Sequence, residues 1–354
     1  MPSPIRRVAT TVCVTLLVNL AVVIGIAGTV NPLGNLWGRR FPTATPITRY
    51  RKVRLFEAWS QQAPVEGLVM GSSRSMKLAP GEFASGSGFR FFNFALSEGT
   101  LEDIDAILGY VIERHAKPRL LIVGVDPPML TPMLLPVELT QDWELAARID
   151  GGRPTFAWKV RHGLALLAQT LTPAYGREVG TSIVAAWKRK EPLHHFHEDG
   201  YLEYPARDRA IAAGRFDRAG SIGRCVKEIV DSLESVHVFD TARIARLERT
   251  LDQARQQGIR VLLWHTPQHP SFYASVERSP VLDAFLRSIP DTLERIARSH
   301  HVPFVNLSAI DSFDGDPTDY YDCMHYGAAN ARRISERLLA ALARDSSAAP
   351  NARP

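Results

Sequence analysis

The stretch LVMGSSRS at positions 68–75 joins a short apolar run to a turn of small residues. Apolar runs of this length are typical of strands that are covered on both faces of a parallel sheet. Five such runs, separated by segments with helical periodicity, are predicted as strands: 67–70, 89–94, 120–125, 259–265 and 302–307. The alternation of strands and helices predicts an α/β domain built on a parallel sheet.

Helices are predicted between these strands. Thr100 resembles the cap of one helix, and residues 241–257, 282–298 and 328–344 carry the apolar spacing of amphipathic helices. The rhythm is lost between about 127 and 233, so this segment is predicted as a mainly helical insertion beside the top of the sheet. The whole domain is predicted to span 55–344, followed by a disordered tail at 345–354.

The N-terminal part of the chain has a different character. Residues 8–30 form an apolar run without charge, and a helix of this length crosses a hydrocarbon core of roughly 30 Å. They are predicted as a transmembrane anchor, with a cleavable signal peptide as the alternative. Residues 31–54 are predicted as a basic linker along the membrane surface. Basic pairs at 6–7 and 39–40 flank the span, so charge alone leaves its orientation open.

The net charge of +5 is distributed unevenly. The first 54 residues contain eight bases and no acid, which leaves 34 bases against 37 acids in the remainder. Nucleic-acid binding requires a basic domain, so this partner is excluded. The chain has three cysteines, too few for a disulfide-framed fold; Cys225 and Cys323 either form one bridge or remain two thiols.

The serines after the first predicted strand are the first candidates for chemistry. Ser73 is placed at the carboxyl end of that strand, the edge at which doubly wound sheets bind ligands. A serine becomes a useful nucleophile only with a base in hydrogen-bond reach. Ser72 is the competing nucleophile, and turn or cap serines without chemistry are the structural alternative.

A candidate base lies near the other end of the chain. Asp322 precedes His325 by three positions, between the fifth predicted strand and the last helix. At this spacing a carboxylate can hold one ring nitrogen of the imidazole while the other nitrogen faces a serine. The two motifs occupy the same edge of one predicted sheet.

Three blocks of the sequence resemble those of the SGNH (GDSL-like) hydrolases. The Gly-Ser-Ser turn at 71–73 is similar to the family's Gly-Asp-Ser block, the segment 93–99 resembles the block that supplies an oxyanion glycine, and 322–327 is similar to the last block. The Gly-Ser-Ser-Arg form and the apolar N-terminus look most like membrane-anchored DltD-like and alginate-acetylation-type proteins. The resemblance covers nearly all of the chain after residue 65 except the insertion.

This resemblance implies a three-layer α/β/α fold with a flavodoxin-like sheet of five strands, and no metal or other cofactor. It implies that Ser73 attacks an acyl group, that His325 takes its proton and that Asp322 orients His325. The backbone N–H groups of Ser73 and Gly99 would face the oxyanion.

One position departs from the family pattern. The third strand is followed by Asp126, where the family usually has an asparagine that donates to the oxyanion. A carboxylate cannot stabilise a developing oxyanion, so Asp126 is predicted to pair with Arg74 and to shape the nucleophile turn. Asn93 is then a candidate for the missing donor.

Other histidines and tryptophans are weaker candidates. His265 and His269 lie at the end of the fourth predicted strand and are candidates for substrate contact, with loop histidines as the alternative. The histidines at 194, 195 and 197 lack cysteines or carboxylates at metal-ligand spacing, so no metal site is predicted. The tryptophans of the insertion, at 143, 158 and 187, are expected either to stack on sugars or to pack within the insertion.

The function expected from these features is addition or removal of an acyl group on an extracytoplasmic glycan or cell-envelope polymer. The enzyme would be held at the cell membrane by a single span, with a membrane-bound acyl donor protein as a further partner. Hydrolase and transferase share an acyl-serine intermediate, so the sequence does not separate them. The alternative is a non-catalytic polysaccharide-binding or assembly subunit that retains the fold.

Overall fold

A computed structural model describes residues 4–33, 41, 48–115, 117–132, 142–149, 152–188 and 194–348. Its centre is a parallel sheet of five strands in the order β2-β1-β3-β6-β7, beside a separate two-stranded antiparallel ribbon, β4–β5. The strands are β1 Gly67–Met70, β2 Phe91–Asn93, β3 Leu120–Val125, β4 His195–Phe196, β5 Leu202–Glu203, β6 Arg260–His265 and β7 Phe304–Asn306. The order of the five parallel strands is flavodoxin-like, which confirms the predicted fold class.

Thirteen helices lie in the described part of the chain. They are α1 Pro4–Val30, α2 Thr48–Gln62, α3 Pro80–Ser87, α4 Leu101–Arg114, α5 Trp143–Ile149, α6 Phe156–Thr170, α7 Pro173–Trp187, α8 Pro205–Ala212, α9 Arg218–Glu234, α10 Thr241–Gln256, α11 Pro270–Val276, α12 Pro280–Ser299 and α13 Ala328–Ala348. Thr100 caps α4 as predicted, because its side chain accepts from the backbone of Asp103 and the Asp103 carboxylate accepts from the backbone of Thr100.

Two apolar cores cover the two faces of the sheet, because successive side chains along a strand point in opposite directions. Leu121 and Val123 of β3 belong to the core that includes α4, α10 and α12. Leu120 and Ile122 of the same strand belong to the core that includes α3 and α13. The sheet is therefore buried on both sides, and ligands can reach its strands only at their ends.

The predicted basic linker is wrong at its carboxyl end, because residues from Thr48 onward begin helix α2. Arg49 is fully buried and makes two hydrogen bonds to the carboxylate of Asp103, at 2.7 and 2.8 Å. Lys52 is also fully buried, and its ammonium group donates to the carbonyls of Asn93 and Gly200, both at 2.6 Å. These two side chains are therefore held inside the domain by internal contacts and do not lie at a membrane surface. Positions 34–40 and 42–47 of the linker lie outside the described residues.

The two terminal helices, α1 and α13, can be compared with the predicted membrane span and the predicted disordered tail. Helix α13 runs to Ala348, so the tail predicted from 345 begins inside a helix; positions 349–354 lie outside the described residues. At the other end, Ile5–Val30 of α1 is long and apolar enough to cross a membrane, and most of it is exposed. By length and composition this segment is a candidate membrane span or signal sequence.

Candidate active site

Ser73 lies in the tight turn that follows β1. Gly71 begins this turn with a φ of +140°, a conformation that residues with a side chain rarely adopt. A Cβ at this position would lie 2.5 Å from Ser75 Oγ and 2.9 Å from the carbonyl oxygen of Gly124. Only glycine fits here, and the close approach of the chain segments brings Ser73 to the carboxyl edge of the sheet.

The structure brings Ser73, His325 and Asp322 together, although Ser73 and His325 are 252 positions apart. The Oγ of Ser73 lies 2.8 Å from Nε2 of His325. The Nδ1 of His325 lies 2.8 and 2.9 Å from the two carboxylate oxygens of Asp322. With the Nδ1–H donating to the carboxylate, Nε2 is the acceptor for the serine hydroxyl. This is the hydrogen-bond chain of a serine-histidine-aspartate triad.

Asp322 is held in its ionised form. Burial by itself raises the pKa of Asp322, but His325 and the backbone N–H groups of Met324 and His325 outweigh burial and lower this pKa well below its ordinary value of 3.8. An ionised carboxylate fixes the imidazole and stabilises the imidazolium that forms when the serine proton is transferred.

A disulfide fastens the loop that carries this pair. Cys323 lies directly after Asp322 and is bonded to Cys225 of α9. The bridge joins positions 98 apart, and thereby ties the insertion to the loop of Asp322 and His325. Of the two alternatives left by the sequence, the structure has the bridge.

The oxyanion donors predicted beside Ser73 are engaged elsewhere. The N–H of Gly99 donates to the carbonyl of Leu96 at 3.2 Å, and a Cβ on Gly99 would lie 2.4 Å from the carbonyl oxygen of Gly71. Gly99 is therefore required for close packing against the nucleophile turn. Among the described residues, the N–H of Ser73 makes no hydrogen bond, so this predicted donor is free.

Asn93 forms hydrogen bonds to the segment that follows the turn of Ser73. It is fully buried, and its amide group donates to the carbonyls of Ser75 and Leu78, both at 2.8 Å. Its side-chain oxygen accepts from the N–H of Ala95. Both N–H donors of the amide are thus used inside the protein, and the geometry does not support Asn93 as an oxyanion donor.

Arg74 and Asp126 form the predicted buried pair. The distance between Nη1 of Arg74 and Oδ2 of Asp126 is 3.0 Å. The hydroxyl of Thr266 donates to the other carboxylate oxygen at 2.6 Å, and the hydroxyl of Tyr326 donates to the backbone carbonyl of Arg74 at 2.7 Å. The turn of Ser73 is thereby connected to the segments that follow β3 and β6 and to the start of α13.

His265 is the last residue of β6 and His269 follows that strand, and the two histidines differ in their surroundings. His265 is 2% exposed, and burial lowers its pKa to about 4, so its ring is neutral and enclosed. This geometry does not support the predicted substrate contact of His265. His269 caps α11, since its Nδ1 accepts from the N–H of Ser271, and its ring lines a surface cleft of about 670 Å³ between α9 and α11.

A rim of aromatic and basic side chains packs around the loop of Asp322 and His325, and the sequence did not predict it. The ring of Tyr321 packs against Tyr204 with 5.4 Å between ring centroids, and the guanidinium of Arg207 lies 5.3 Å from the Tyr321 ring and 4.8 Å from the Tyr204 ring. Lys77 lies over both rings. Tyr321 was the available signal, but its partners at positions 77, 204 and 207 are over a hundred positions away.

The histidines of the insertion lie on or near the ribbon. The ring of His194 packs against Tyr204 at the rim, and burial together with Arg207 and Arg51 lowers its pKa to about 4. His197 lies 3.2 Å from a carboxylate oxygen of Glu203 on β5. In the part of the chain that the structure describes, no group of three or more histidine, cysteine or acidic residues is arranged to hold a metal ion.

No protein-family model and no curated protein matches the chain. Among solved structures, the chain is similar to a crystal structure from Bacteroides fragilis whose protein is described provisionally as an acylhydrolase. The two chains are 11% identical, the match covers 82% of this chain and 95% of that chain, and the TM-score is 0.38.

Proposed function

We propose that this protein is an SGNH-type serine esterase or O-acyltransferase that acts on an extracytoplasmic glycan or cell-envelope polymer. The observation that carries the proposal is the continuous hydrogen-bond chain from Ser73 Oγ through His325 to Asp322. Three side chains from two distant segments meet with the geometry and order that nucleophilic acyl transfer requires.

The reaction follows from this geometry. Ser73 Oγ attacks the carbonyl carbon of the ester while His325 Nε2 takes the hydroxyl proton, and the free N–H of Ser73 stabilises the oxyanion. The tetrahedral intermediate collapses when His325 returns the proton to the leaving alcohol, which leaves an acyl group on Ser73. Water, or a hydroxyl group of an acceptor, then attacks the acyl-serine with His325 again as the base.

A carbohydrate as the alcohol part of the ester is what the sequence resemblance implies, and the buried aromatic rings of the rim do not add to it. Tyr204 and Tyr321 are 5% and 3% exposed, so their rings pack beneath the loop of Asp322 and His325 and offer no open face to a sugar. Lys77 is also buried there, whereas Arg207 is half-buried and can donate to a group bound beside the loop. For the transferase, a membrane-bound acyl donor protein would supply the acyl group to Ser73.

Two features support a place outside the cytoplasm. The bridge between Cys225 and Cys323 is of a kind that persists in oxidising compartments. The apolar helix α1 would anchor the domain to the cell membrane by a single pass, with the N-terminus inside. A phosphatase fused after Pro354 is expected to be active, and activity only of a cytoplasmic reporter at that position would overturn this orientation.

A fluorophosphonate probe tests the nucleophile directly. The full-length protein in detergent is expected to become labelled, and Ser73→Ala is expected to abolish labelling. Ser72→Ala is the matched control, because Ser72 neighbours Ser73 but its Oγ only accepts from the Arg74 N–H. Absence of labelling in the folded wild type, or equal labelling of Ser73→Ala, contradicts the proposal.

One observation favours the alternative of a non-catalytic polysaccharide-binding or assembly subunit. Gly99 and Asn93 have their N–H groups engaged inside the protein, which leaves one backbone donor for the oxyanion. A binding subunit would retain an affinity for acylated polysaccharide without releasing acyl groups. Wild-type protein that binds such a polymer but is not labelled by the probe would favour this alternative.

A further inference from the structure

Helices α6 and α7 form a helical hairpin that the rest of the domain hardly covers. Only Leu171 and Thr172 join the two helices, which pack against each other. In α6 no side chain is buried, and in α7 only Tyr175 and Ser182 are buried. Helices of 15 residues are marginal in water without tertiary packing, so this hairpin needs another surface to lie against.

The exposed side chains of the hairpin, defined here as residues 156–187, are strongly apolar. Phe156, Val160 and Leu164 recur at helical spacing and are 84%, 47% and 62% exposed. Of the large hydrophobic side chains that are exposed in the described part of the chain, all but three lie on α1 or on the hairpin. The apolar surface is thus concentrated on three helices and is absent from the described surface of the α/β domain apart from those three positions.

These three helices are neighbours. Helix α1 packs against both α6 and α7. Its last turn is enclosed, since Ala27 and Val30 are 2% and 5% exposed, whereas the apolar side chains closer to its N-terminus remain exposed. The apolar surface of the hairpin therefore lies beside that of the candidate membrane span.

Charge and aromatic residues are sorted along the hairpin. Positions 162–176, around the connection between the helices, contain no charged residue. The open end carries Lys159 and Arg161 at the start of α6 and Lys188 after α7, together with two tryptophans, of which Trp187 is 84% exposed. One adjacent pair of opposite charges, Arg177 and Glu178, follows the uncharged stretch in the second turn of α7. Tryptophan and basic residues are enriched where a helix leaves the hydrocarbon for the headgroups of a bilayer.

The segment that contains the hairpin has an excess of basic residues. Between positions 152 and 190 the sequence has seven basic residues and one acid, Glu178, although the rest of the chain after position 54 is net acidic. A basic, amphipathic element of this kind is attracted to anionic lipid headgroups. Each helix of 15 residues is about 22 Å long, too short to span a bilayer by itself.

We propose that the α6–α7 hairpin embeds its uncharged end and apolar face in the lipid bilayer beside α1, as a second membrane contact of the protein. The occupant of this surface is lipid. The hairpin enters one side of the bilayer without crossing it, and its basic, tryptophan-bearing end stays among the headgroups. This inference is independent of the serine chemistry.

A fluorescent label at a single cysteine tests the contact. In the full-length Cys13→Ser protein the remaining cysteines are bridged, so Leu164→Cys provides one site for an environment-sensitive dye. Val281→Cys on α12 is the matched control, because Val281 is 61% exposed, close to the 62% of Leu164. Both proteins are reconstituted into liposomes of phosphatidylethanolamine and phosphatidylglycerol.

The dye at Leu164→Cys is expected to emit at shorter wavelength than the dye at Val281→Cys, and nitroxide groups on the lipid acyl chains are expected to quench it several-fold more. Equal emission and equal quenching at the two positions would place the hairpin in water and overturn the proposal. A blue-shifted dye that lipid nitroxides do not quench would instead indicate a protein partner or a second copy, which also overturns it.

Discussion

The carboxyl edge of the sheet and the α6–α7 hairpin differ in how far they are buried. At the edge, Arg74, Asn93 and Asp126 are buried, and each forms a hydrogen bond or ion pair with another segment of the chain. In the hairpin, only two of the 30 helical residues are buried. The edge is therefore determined by contacts within the chain, and a buried polar group there loses much if its partner is removed. The hairpin has few such contacts to lose. Its position depends on what surrounds the protein, which is why substitutions in the two regions should differ in kind as well as in size.

The largest effect is expected at the catalytic end of this edge. Asp322→Asn keeps the shape of the side chain but removes the charge that selects the Nδ1–H tautomer of His325. We expect the rate of fluorophosphonate labelling to fall by about three to four orders of magnitude, the range known for loss of this function in serine triads. The melting temperature should change far less than the rate, since the loop remains held by the Cys225–Cys323 bridge.

Asp311→Asn serves as the control for this prediction. Asp311 is an exposed carboxylate on the segment between β7 and the catalytic loop, so its variant should be labelled at the wild-type rate. Equal rates for Asp322→Asn and Asp311→Asn would show that the carboxylate does not act through His325.

The next effect is on stability. Arg74→Met leaves the carboxylate of Asp126 buried without its cation, and breaking a buried pair in this way costs about 3–5 kcal/mol in the free energy of unfolding. Denaturant unfolding of the detergent-solubilised protein measures it. Arg298→Met removes a cation that is 74% exposed and should leave the unfolding midpoint nearly unchanged. If both variants unfold at the same midpoint, the pair with Asp126 does not organise the edge.

The same division explains how much the sequence could predict. The buried strands were predicted closely, and 120–125 with the observed bounds of β3, because burial on both faces leaves a continuous apolar run. Ser73 and His325 were predicted to meet because each follows a strand that ends at the same edge. For a feature of this kind, the local pattern and the three-dimensional position are linked by the regular geometry of the sheet.

Long-range pairings of polar residues could not be predicted in that way. Charge counting assigned Arg49 and Lys52 to a membrane surface because their partners, such as Asp103, lie more than 40 positions away. Asn93 was considered as an oxyanion donor, whereas its amide is used by two carbonyls of the nucleophile turn. Whether Cys225 and Cys323 form a bridge or remain two thiols likewise depends on where α9 lies relative to the loop of Asp322 and His325, which the sequence does not give.

Acidification should weaken the edge through His265. Burial, with a further contribution from Arg74, lowers the pKa of His265 from 6.5 to about 4, so the folded protein keeps this ring neutral where the unfolded chain protonates it. The unfolded state then binds more protons between pH 6.5 and pH 4, and the free energy of unfolding should fall by about 3 kcal/mol as the pH decreases through this window.

His265→Leu should remove this component of the pH dependence. Denaturant titrations at about pH 7 and about pH 4.5 measure it, and the unfolding midpoint of His265→Leu should decrease less between them than that of the wild type. His195→Leu, at an exposed position of the ribbon, should keep the wild-type dependence. The same pH dependence in the His265→Leu and wild-type proteins would mean that the ring is protonated in the folded state.

The smallest effect is expected in the hairpin, and it depends on the medium. Leu338 on α13 is fully buried, so Leu338→Ala should cost about 2–5 kcal/mol in the free energy of unfolding in any medium. Leu164 is 62% exposed, and Leu164→Ala should change stability in detergent by less than about 0.5 kcal/mol. In liposomes, Leu164→Ala should reduce the lipid quenching of Trp fluorescence from the hairpin, whereas Leu338→Ala should not. A large loss of stability for Leu164→Ala in detergent would indicate that the hairpin packs against protein, and the contrast between the two regions would then be wrong.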